Sequence, residues 1–204
     1  KSAAKAVWGS DSLEGKTILQ AARLPTLDSL AQRGPVGAAA NLGEDSPLFA
    51  ADAQAAVLGF QPGGVALPPG PVEAAGLEVP VEDRDAAFCC SLVASDGECL
   101  LHPTAGCVPS SVAHALIAHL NDALRSRRFH FYPGVGHRQV MVWRDCPLDL
   151  SCSPPFGHRE ESLKAIMPQG DGAERLAQLI FDSHEILSSH PLNRIREDQE
   201  KPPG

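Results

Sequence analysis

Two adjacent side chains, His137 and Arg138, follow the glycine-rich sequence PGVG and could together hold an anion. A turn that exposes backbone amides beside a histidine and an arginine can bind a phosphate or a carboxylate through charge-assisted hydrogen bonds. The same residues also fit a simple hairpin turn, in which the glycines only allow the backbone to reverse. The sequence alone leaves both interpretations open.

Three other histidines give weaker evidence for a site. His114 and His119 lie on one predicted helix at a spacing of five, so they point to different faces. Two metal ligands on one helix need a spacing of three or four. His130 falls on a predicted strand and fits a packed or edge position. We therefore expect no metal ligand among these three.

The cysteines indicate the redox compartment. The chain has six, none of them in a CxxC pair: Cys89, Cys90, Cys99, Cys107, Cys146 and Cys152. Adjacent Cys89 and Cys90 fall on a predicted strand and should point to its opposite faces. The pattern favours buried free thiols in a reducing, intracellular compartment over a structural zinc site. Cytoplasm, organelle matrix and cytoskeletal assembly are not distinguished.

The elements that would position these residues begin near residue 84. Short apolar runs bounded by Asp, Gly and Pro predict four strands: DAAFCCSLVAS, ECLLHPT, FHFYPG and RQVMVW. Asp96-Gly97 is a strong hairpin signal between the first two. Apolar residues repeating every four positions from Val112 to Leu124 predict a helix between the second and third, capped by Ser110 or Ser111. The order ββαββα predicts a four-stranded sheet with helices covering one face.

The rest of the chain predicts helices and loops. Pro25 suits the first turn of a helix that Gly34 ends, and the alanine-rich stretch 50–58 predicts a second, short helix. The sequence QPGGVALPPGP predicts a turn-rich connection, and a last helix is predicted at about 171–188. We divide the chain into a core segment with its linker, an inserted ββαββ domain, and a returning helix with a tail: 1–83, 84–168 and 169–204.

Composition excludes several functional classes. A formal net charge of −8 disfavours direct binding to nucleic acid or to an anionic membrane. No run of about 18 apolar residues occurs, so no membrane insertion is expected. A hydrophobic content of 43% over 204 residues suffices for one large domain or two small ones.

Six segments in order along the chain resemble the archaeal type of cofactor-independent phosphoglycerate mutase, in the alkaline phosphatase superfamily. They are GKTILQAARLPTLDSLAQRG, AAVLGFQP, GPVEAAGL, DAAFCCSLVASDG, FYPGVGHRQVMVW and SSHPLNRIREDQEKPP. The resemblance implies an α/β fold: a partial alkaline-phosphatase-like core in which the four-stranded sheet belongs to an inserted α+β domain. Members of this family move a phosphoryl group between hydroxyls of phosphoglycerate through a phosphoserine, with two divalent metal ions.

The chain departs from this family's pattern at its catalytic positions. The nucleophilic serine corresponds to Ala50, or to Ala51 if the alignment shifts by one residue, and alanine can neither attack phosphorus nor bind a metal. Cys89 stands where the family has an arginine. We therefore predict no catalytic residue and no metal ligand in the chain. Four residues match polar positions of the family and are predicted remnants of its substrate site: His137, Arg138, Asn193 and Arg194.

Three functional hypotheses follow. The first is a catalytically inactive mutase-like protein that acts as a structural or interaction subunit, binds protein partners in a larger complex and needs no cofactor. The alternative is a fragment of an active mutase that converts 3-phosphoglycerate to 2-phosphoglycerate in glycolysis with Mn²⁺ or Mg²⁺. Its serine and ligands would lie outside these residues, because relatives continue into a second half. The third is a non-catalytic module that binds a phosphate ligand at the His137–Arg138 loop.

Overall fold

The computed structural model describes residues 11–37, 50–60, 67–124, 126–147 and 149–204. Contacts between residues divide the chain into two compact units, Lys1–Gly43 and Glu44–Gly204. The described part of the first unit contains helices α1 (Ile18–Ala21) and α2 (Pro25–Arg33). The predicted helix between Pro25 and Gly34 is confirmed: proline stands at its first position, and the Gly34 amide donates to the Leu30 carbonyl oxygen at 3.1 Å. The predicted domain boundaries at 83/84 and 168/169 stay predictions.

The second unit mixes helices and strands, which confirms the predicted α/β class. Its helices are α3 (Ala50–Val57), α4 (Pro69–Gly76), α5 (Ser110–Leu124), α6 (Leu163–Ile166), α7 (Ala173–Ser188) and α8 (Pro191–Asp198). Its strands are β1 (Ala86–Ser91), β2 (Ala94–Ser95), β3 (Leu100–His102), β4 (Phe129–Val135), β5 (Arg138–Trp143), β6 (Leu150–Ser151) and β7 (Gln169–Gly170). None of the helices in the described ranges has the length and hydrophobicity needed to cross a membrane.

Three of the four predicted helices lie in this unit, as α3, α5 and α7, and are confirmed. Helix α4 was predicted as part of a turn-rich connection, and that prediction is wrong from Pro69 onward. Proline is favoured at the first position of a helix, where no intrahelical amide bond is lost. The glycines and prolines around this start gave no helical periodicity in the sequence.

The main sheet has three antiparallel strands in the order β1-β5-β4, not the four predicted. The ECLLHPT segment instead supplies β3, which pairs with β2 in a separate two-stranded ladder. The hairpin signal at Asp96-Gly97 is correct for this small ladder. Asp96 Oδ1 accepts hydrogen bonds from the amides of Glu98 at 2.9 Å and Cys99 at 2.7 Å, and Gly97 has a φ of +89°.

Helices cover both faces of the main sheet, which corrects the prediction that they cover one. On one face Met141 and Trp143 of β5 belong to the main core, whose buried members are Leu92, Ala105, Val108, Ala113, Leu116, Ile117, Leu120, Phe131, Met141, Trp143, Cys146, Leu176 and Leu187. On the other face Val140 and Val142 pack against Ala74 of α4. The sequence VMVW is apolar at every position, so each face of β5 requires cover.

Helix α4 approaches β1 at backbone distance because Gly70 has no side chain. A Cβ atom built on Gly70 would lie 2.0 Å from the Ala87 carbonyl oxygen and 2.7 Å from its carbon. Both of those atoms belong to the backbone, so neither can move aside as a flexible side chain would. Gly70 therefore sets the distance at which α4 covers the second face of the sheet.

We expect Gly70→Ala to lower the free energy of unfolding by about 1–3 kcal/mol, because the added methyl group overpacks this contact. Gly76→Ala is the matched control on the same helix, since a Cβ there meets nothing within 4 Å. It should change stability by less than about 1 kcal/mol, in the stabilising direction. Urea unfolding of both variants measures the difference, and equal midpoints would contradict the close approach of α4 to β1.

Candidate functional site

The turn between β4 and β5 is held by side chains from three places in the chain. The Gly134 amide donates to Gln139 Oε1 at 2.7 Å, and Gln139 Nε2 donates to the Gly136 carbonyl oxygen at 2.6 Å. The Gly136 amide donates to Ser110 Oγ at 3.0 Å. His114 Nε2 donates to the Gly134 carbonyl oxygen at 2.8 Å. Both glycine amides are thus satisfied within the protein, so an anion at this turn would have to be held by side chains.

Two of these contacts bear on sequence predictions. Ser110 or Ser111 was expected to cap α5, but the helix begins at Ser110, whose hydroxyl accepts from the Gly136 amide of the turn. His114, expected not to be a metal ligand, donates to a backbone carbonyl. Gln139 is 1% exposed and was not singled out from the sequence. An isolated polar residue inside the apolar run of β5 was the signal that could have identified it, because buried amides need hydrogen-bond partners.

Arg138 lies at the first position of β5 and forms an ion pair across to α4. Its Nη1 atom is 3.1 Å from Glu73 Oε1, with side-chain exposures of 55% for Arg138 and 29% for Glu73. Both charges act on the thiol of Cys89. Partial burial raises the pKa of this thiol, Glu73 raises it further, and Arg138 lowers it. The cation is therefore neutralised by a carboxylate and sits beside a thiol that stays protonated at neutral pH.

His137 is partly buried beside this ion pair. Its ring meets Phe156 edge to face, with the ring centroids 5.6 Å apart, and its Nε2 has no hydrogen-bond partner among the described residues. Burial lowers the pKa of His137, the positive charge of Arg138 lowers it further, and Glu73 acts in the opposite direction. The ring is therefore neutral at neutral pH and would contribute a hydrogen bond to an anion rather than a charge.

Asn193, a predicted substrate-site remnant, holds the end of the chain in place. Its Nδ2 donates to the carbonyl oxygens of Leu187 at 3.0 Å and Gly204 at 2.6 Å, and its Oδ1 accepts from the Gly204 amide at 2.9 Å. Arg196, three residues further on α8, donates from Nη2 to the carbonyl oxygens of Ala105 at 2.6 Å and Pro202 at 2.8 Å. Sequence reasoning missed Arg196, although the spacing of three places it on the same helix face as Asn193.

The predicted site residues form two separate pairs. Arg194 is exposed on α8, and no hydrogen bond or ion pair of the described residues joins it or Asn193 to His137 or Arg138. At the predicted nucleophile position, α3 begins at Ala50. Asp52, in the first turn of α3, is 4% exposed and accepts from the Leu67 amide at 2.8 Å. Its carboxylate therefore anchors the segment that leads into α4.

A metal centre does not fit the part of the chain that the structure describes. Within it, no three His, Cys, Asp or Glu side chains lie together in a group that could hold a metal ion. The divalent ions that the family resemblance implies therefore find no ligand set among these residues. We derive no chemical step through a metal.

The cysteines are free thiols, as predicted, but half of them are exposed. Cys146 is buried, whereas Cys89, Cys107 and Cys152 are exposed. Cys89 and Cys90 point to opposite faces of β1, as predicted, and Cys90 packs against the main core. Burial raises the pKa of Cys90 to about 11. The prediction of buried thiols is therefore wrong for half of the cysteines.

His190 caps α8 and meets a second histidine. Its Nδ1 accepts from the Leu192 amide at 3.2 Å, and its ring lies edge to face on His119 with centroids 4.9 Å apart. Burial lowers the pKa of His190, and the charge of His119 lowers it further. Protonation of His190 would remove the capping acceptor and place a positive charge against the ring of His119. The neutral form of His190 is therefore the form that supports α8.

We expect this pair to make stability depend on pH. Because the pKa of His190 is lower in the folded than in the unfolded chain, the unfolded chain binds more protons between the two values. Stability is then full above the ordinary histidine pKa of about 6.5 and falls as the pH drops below it. His190→Asn keeps a capping acceptor and cannot titrate, so the melting temperature of this variant should fall less than that of the wild type between about pH 7 and about pH 5.

His130→Asn is the control for that experiment, because His130 lies on β4 and takes no part in the His119–His190 contact. The control should retain the loss of stability that His190 causes on acidification. If His190→Asn and wild type lost the same number of degrees, the neutral cap would not be the origin of the effect.

A second expectation separates the two neighbouring residues of α8. Asn193→Ala leaves the Gly204 amide and carbonyl without their partner and should cost about 2–4 kcal/mol of unfolding free energy. Arg194→Ala removes an exposed side chain and should change stability by no more than about 0.5 kcal/mol. Urea titration followed by circular dichroism measures both. A cost for Arg194→Ala as large as that for Asn193→Ala would contradict the assignment of Asn193 as the residue that fixes the tail.

Comparison with known proteins gives a consistent family. A family profile described as 2,3-bisphosphoglycerate-independent phosphoglycerate mutase matches residues 31–193. A Geobacter sulfurreducens protein named "Probable 2,3-bisphosphoglycerate-independent phosphoglycerate mutase" is 35% identical over 94% of this chain and 49% of its own length. A Methanosarcina mazei protein named 2,3-bisphosphoglycerate-independent phosphoglycerate mutase is 32% identical over 95% of this chain and 49% of its own.

A solved structure agrees with these sequences. The cofactor-independent phosphoglycerate mutase of Thermoplasma acidophilum superposes with a TM-score of 0.55 and 25% identity, covering 96% of this chain and 53% of that one. The chain therefore spans about half the length of the relatives it matches. The resemblance drawn from the six sequence segments is confirmed.

Proposed function

Since this chain belongs to the 2,3-bisphosphoglycerate-independent phosphoglycerate mutase family, we propose that the protein containing it interconverts 3-phosphoglycerate and 2-phosphoglycerate. The observation that supports this most is the extent of the family match, which runs from residue 31 to residue 193. Such a reaction belongs to glycolysis, so the proposal also places the protein inside the cell.

The proposed part of this chain is to bind substrate rather than to carry out the phosphoryl transfer. That transfer needs a hydroxyl nucleophile and electrophilic stabilisation of the phosphoryl oxygens. Ala50 and Ala51 supply neither, and no metal-ligand group lies among the described residues. We propose that the serine and the ligands for Mn²⁺ or Mg²⁺ come from residues outside these 204.

Arg138 is the residue proposed to hold the substrate phosphate. Its side chain is more than half exposed and its present partner is one carboxylate, Glu73. A phosphate dianion could replace that carboxylate and accept two hydrogen bonds from the guanidinium. His137, held beside it by the same turn, would donate a hydrogen bond from its ring.

Two non-catalytic functions rest on the alanines at the nucleophile position. One is a structural subunit that binds protein partners in a larger complex; the other is a module that binds a phosphate ligand at His137 and Arg138 without turnover. The names of the relatives favour the mutase over both. An activity measurement on the intact gene product separates the mutase from the two non-catalytic functions, because turnover needs a nucleophile and binding does not.

The test is a coupled mutase assay on the intact gene product with 3-phosphoglycerate and Mn²⁺ or Mg²⁺. We expect turnover that a chelator abolishes.

Arg138→Gln should raise KM for 3-phosphoglycerate about 10-fold, because it removes a charged hydrogen-bond donor to the phosphate. Arg84→Gln is the matched control. Arg84 also forms an exposed ion pair, with Asp145 at 3.2 Å, but it precedes β1, at the end of the sheet opposite to Arg138. It should leave KM unchanged.

The outcomes separate the parts of the proposal. Folded intact protein without turnover would overturn the mutase and leave the two non-catalytic functions. Turnover with an unchanged KM in Arg138→Gln would keep the mutase and reject the role of Arg138.

A further inference from the structure

An apolar cavity lies between the main sheet and helix α7. Its volume is about 330 Å³. Phe88, Phe131 and Met141 line it from the sheet, and Leu176, Leu179 and Leu187 line it from α7. Protein interiors hold few voids larger than one water molecule, which occupies roughly 30 Å³ in the liquid. A space of this size with these walls is large enough for an organic molecule.

One polar pair in the lining is available to a ligand. Ser95 Oγ and His184 Nδ1 are 3.3 Å apart, and both residues line the cavity. A hydroxyl and an imidazole that bond to each other still retain a donor and acceptors for a third group. The hydroxyls of Ser183 and Ser188, by contrast, donate to carbonyl oxygens of their own helix at 2.7 Å and 2.6 Å. Ser95 and His184 are thus a hydroxyl and an imidazole of the lining that a polar atom of a ligand could reach together.

The charges around the cavity exclude an anion. Among the described residues that line it there is no lysine or arginine, whereas Glu197 is present. Asp96 adjoins Ser95, and the amides of Cys99 and Glu98 hold the pKa of its carboxyl below the ordinary value. Glu197 in the lining and Asp96 next to Ser95 repel a negative ligand, which would also find no counter-charge among the lining residues. A phosphorylated substrate therefore does not belong here, and the ligand of the cavity differs from the substrate of the proposed mutase.

We propose that this cavity binds a neutral, mainly apolar small molecule, of the size of a two-ring aromatic, whose single hydroxyl hydrogen-bonds to Ser95 and His184. The apolar walls supply the driving force by removing hydrocarbon surface from water, and the polar pair fixes the orientation. A neutral hydroxyl suits the pair because it can both donate and accept. The cavity walls come from the sheet, from α7 and from the tail, so occupancy should also stabilise their packing.

The first test compares three probes on the full chain without any mutation. Isothermal titration calorimetry should detect saturable binding of 2-naphthol, and the melting temperature should rise with its concentration because only the folded state offers the cavity. Naphthalene should bind about fivefold more weakly, since it lacks the hydroxyl. The anion 2-naphthoate should bind at least about 10-fold more weakly than 2-naphthol, since the lining holds Glu197 and no lysine or arginine.

Variants locate the binding. Leu179→Trp fills the cavity from α7 and should weaken the binding of 2-naphthol at least about 10-fold. Gln178→Trp is the matched control, because Gln178 is exposed on the same helix and does not line the cavity. It should change the affinity by less than about twofold. Ser95→Ala should remove the preference for 2-naphthol over naphthalene while leaving naphthalene binding unchanged.

Several results would overturn the inference. No saturable binding of 2-naphthol to the wild-type chain rejects the cavity as a site, and so does equal affinity in Leu179→Trp with a native circular dichroism spectrum. Equal binding of 2-naphthoate rejects the neutral ligand class. The wild-type probe comparison decides the matter even if Leu179→Trp fails to fold. Failure here leaves the mutase proposal intact, because that assay depends on phosphoglycerate turnover.

Discussion

The burial of β5 on both faces is the constraint on which the rest of the second unit depends. Met141 and Trp143 face the main core, and Val140 and Val142 face α4. Because side chains alternate along a strand, a shift of one residue in the pairing would exchange these two sets. The apolar cover on each side, from α5 and α7 and from α4, therefore fixes the register. That register places Arg138 opposite Ser91 and Val135, at the point where the strand leaves the core.

Gln139 connects the buried strand β5 to the turn that carries the candidate site. A buried amide is costly unless its donors and acceptor are used, and Gln139 uses them on both glycines of the adjoining turn. The strand therefore determines the shape of the turn, and the turn determines where His137 and Arg138 lie. The same bonds occupy the amides that a phosphate-binding loop would offer. Any recognition of an anion at this place depends on the two side chains.

The sequence was most informative where signals are local. Helices α2, α3, α5 and α7 follow from proline, glycine and apolar spacing within a few residues, whereas α4 begins in a Pro- and Gly-rich stretch that hides its periodicity. The positions of the main-sheet strands could be predicted, but not their partners. Strand β1 pairs with β5, some fifty residues away, and not with β3, which belongs to the next predicted strand segment. The tail contacts of Asn193 and Arg196 likewise join positions distant in sequence. Periodicity carries no information on such pairings.

The four residues that match polar positions of the family differ in their freedom to change partners. Asn193 is buried, and releasing it would leave a backbone amide and carbonyl unpaired, so a ligand could take over its side chain only at that cost. Arg138 shares an ion pair with Glu73 that solvent reaches from one side, and exposed pairs of this kind contribute about 0–1 kcal/mol. Exchanging Glu73 for a phosphate would cost little. Matching a family's polar position therefore identifies a binding residue only where the fold leaves the side chain a replaceable partner.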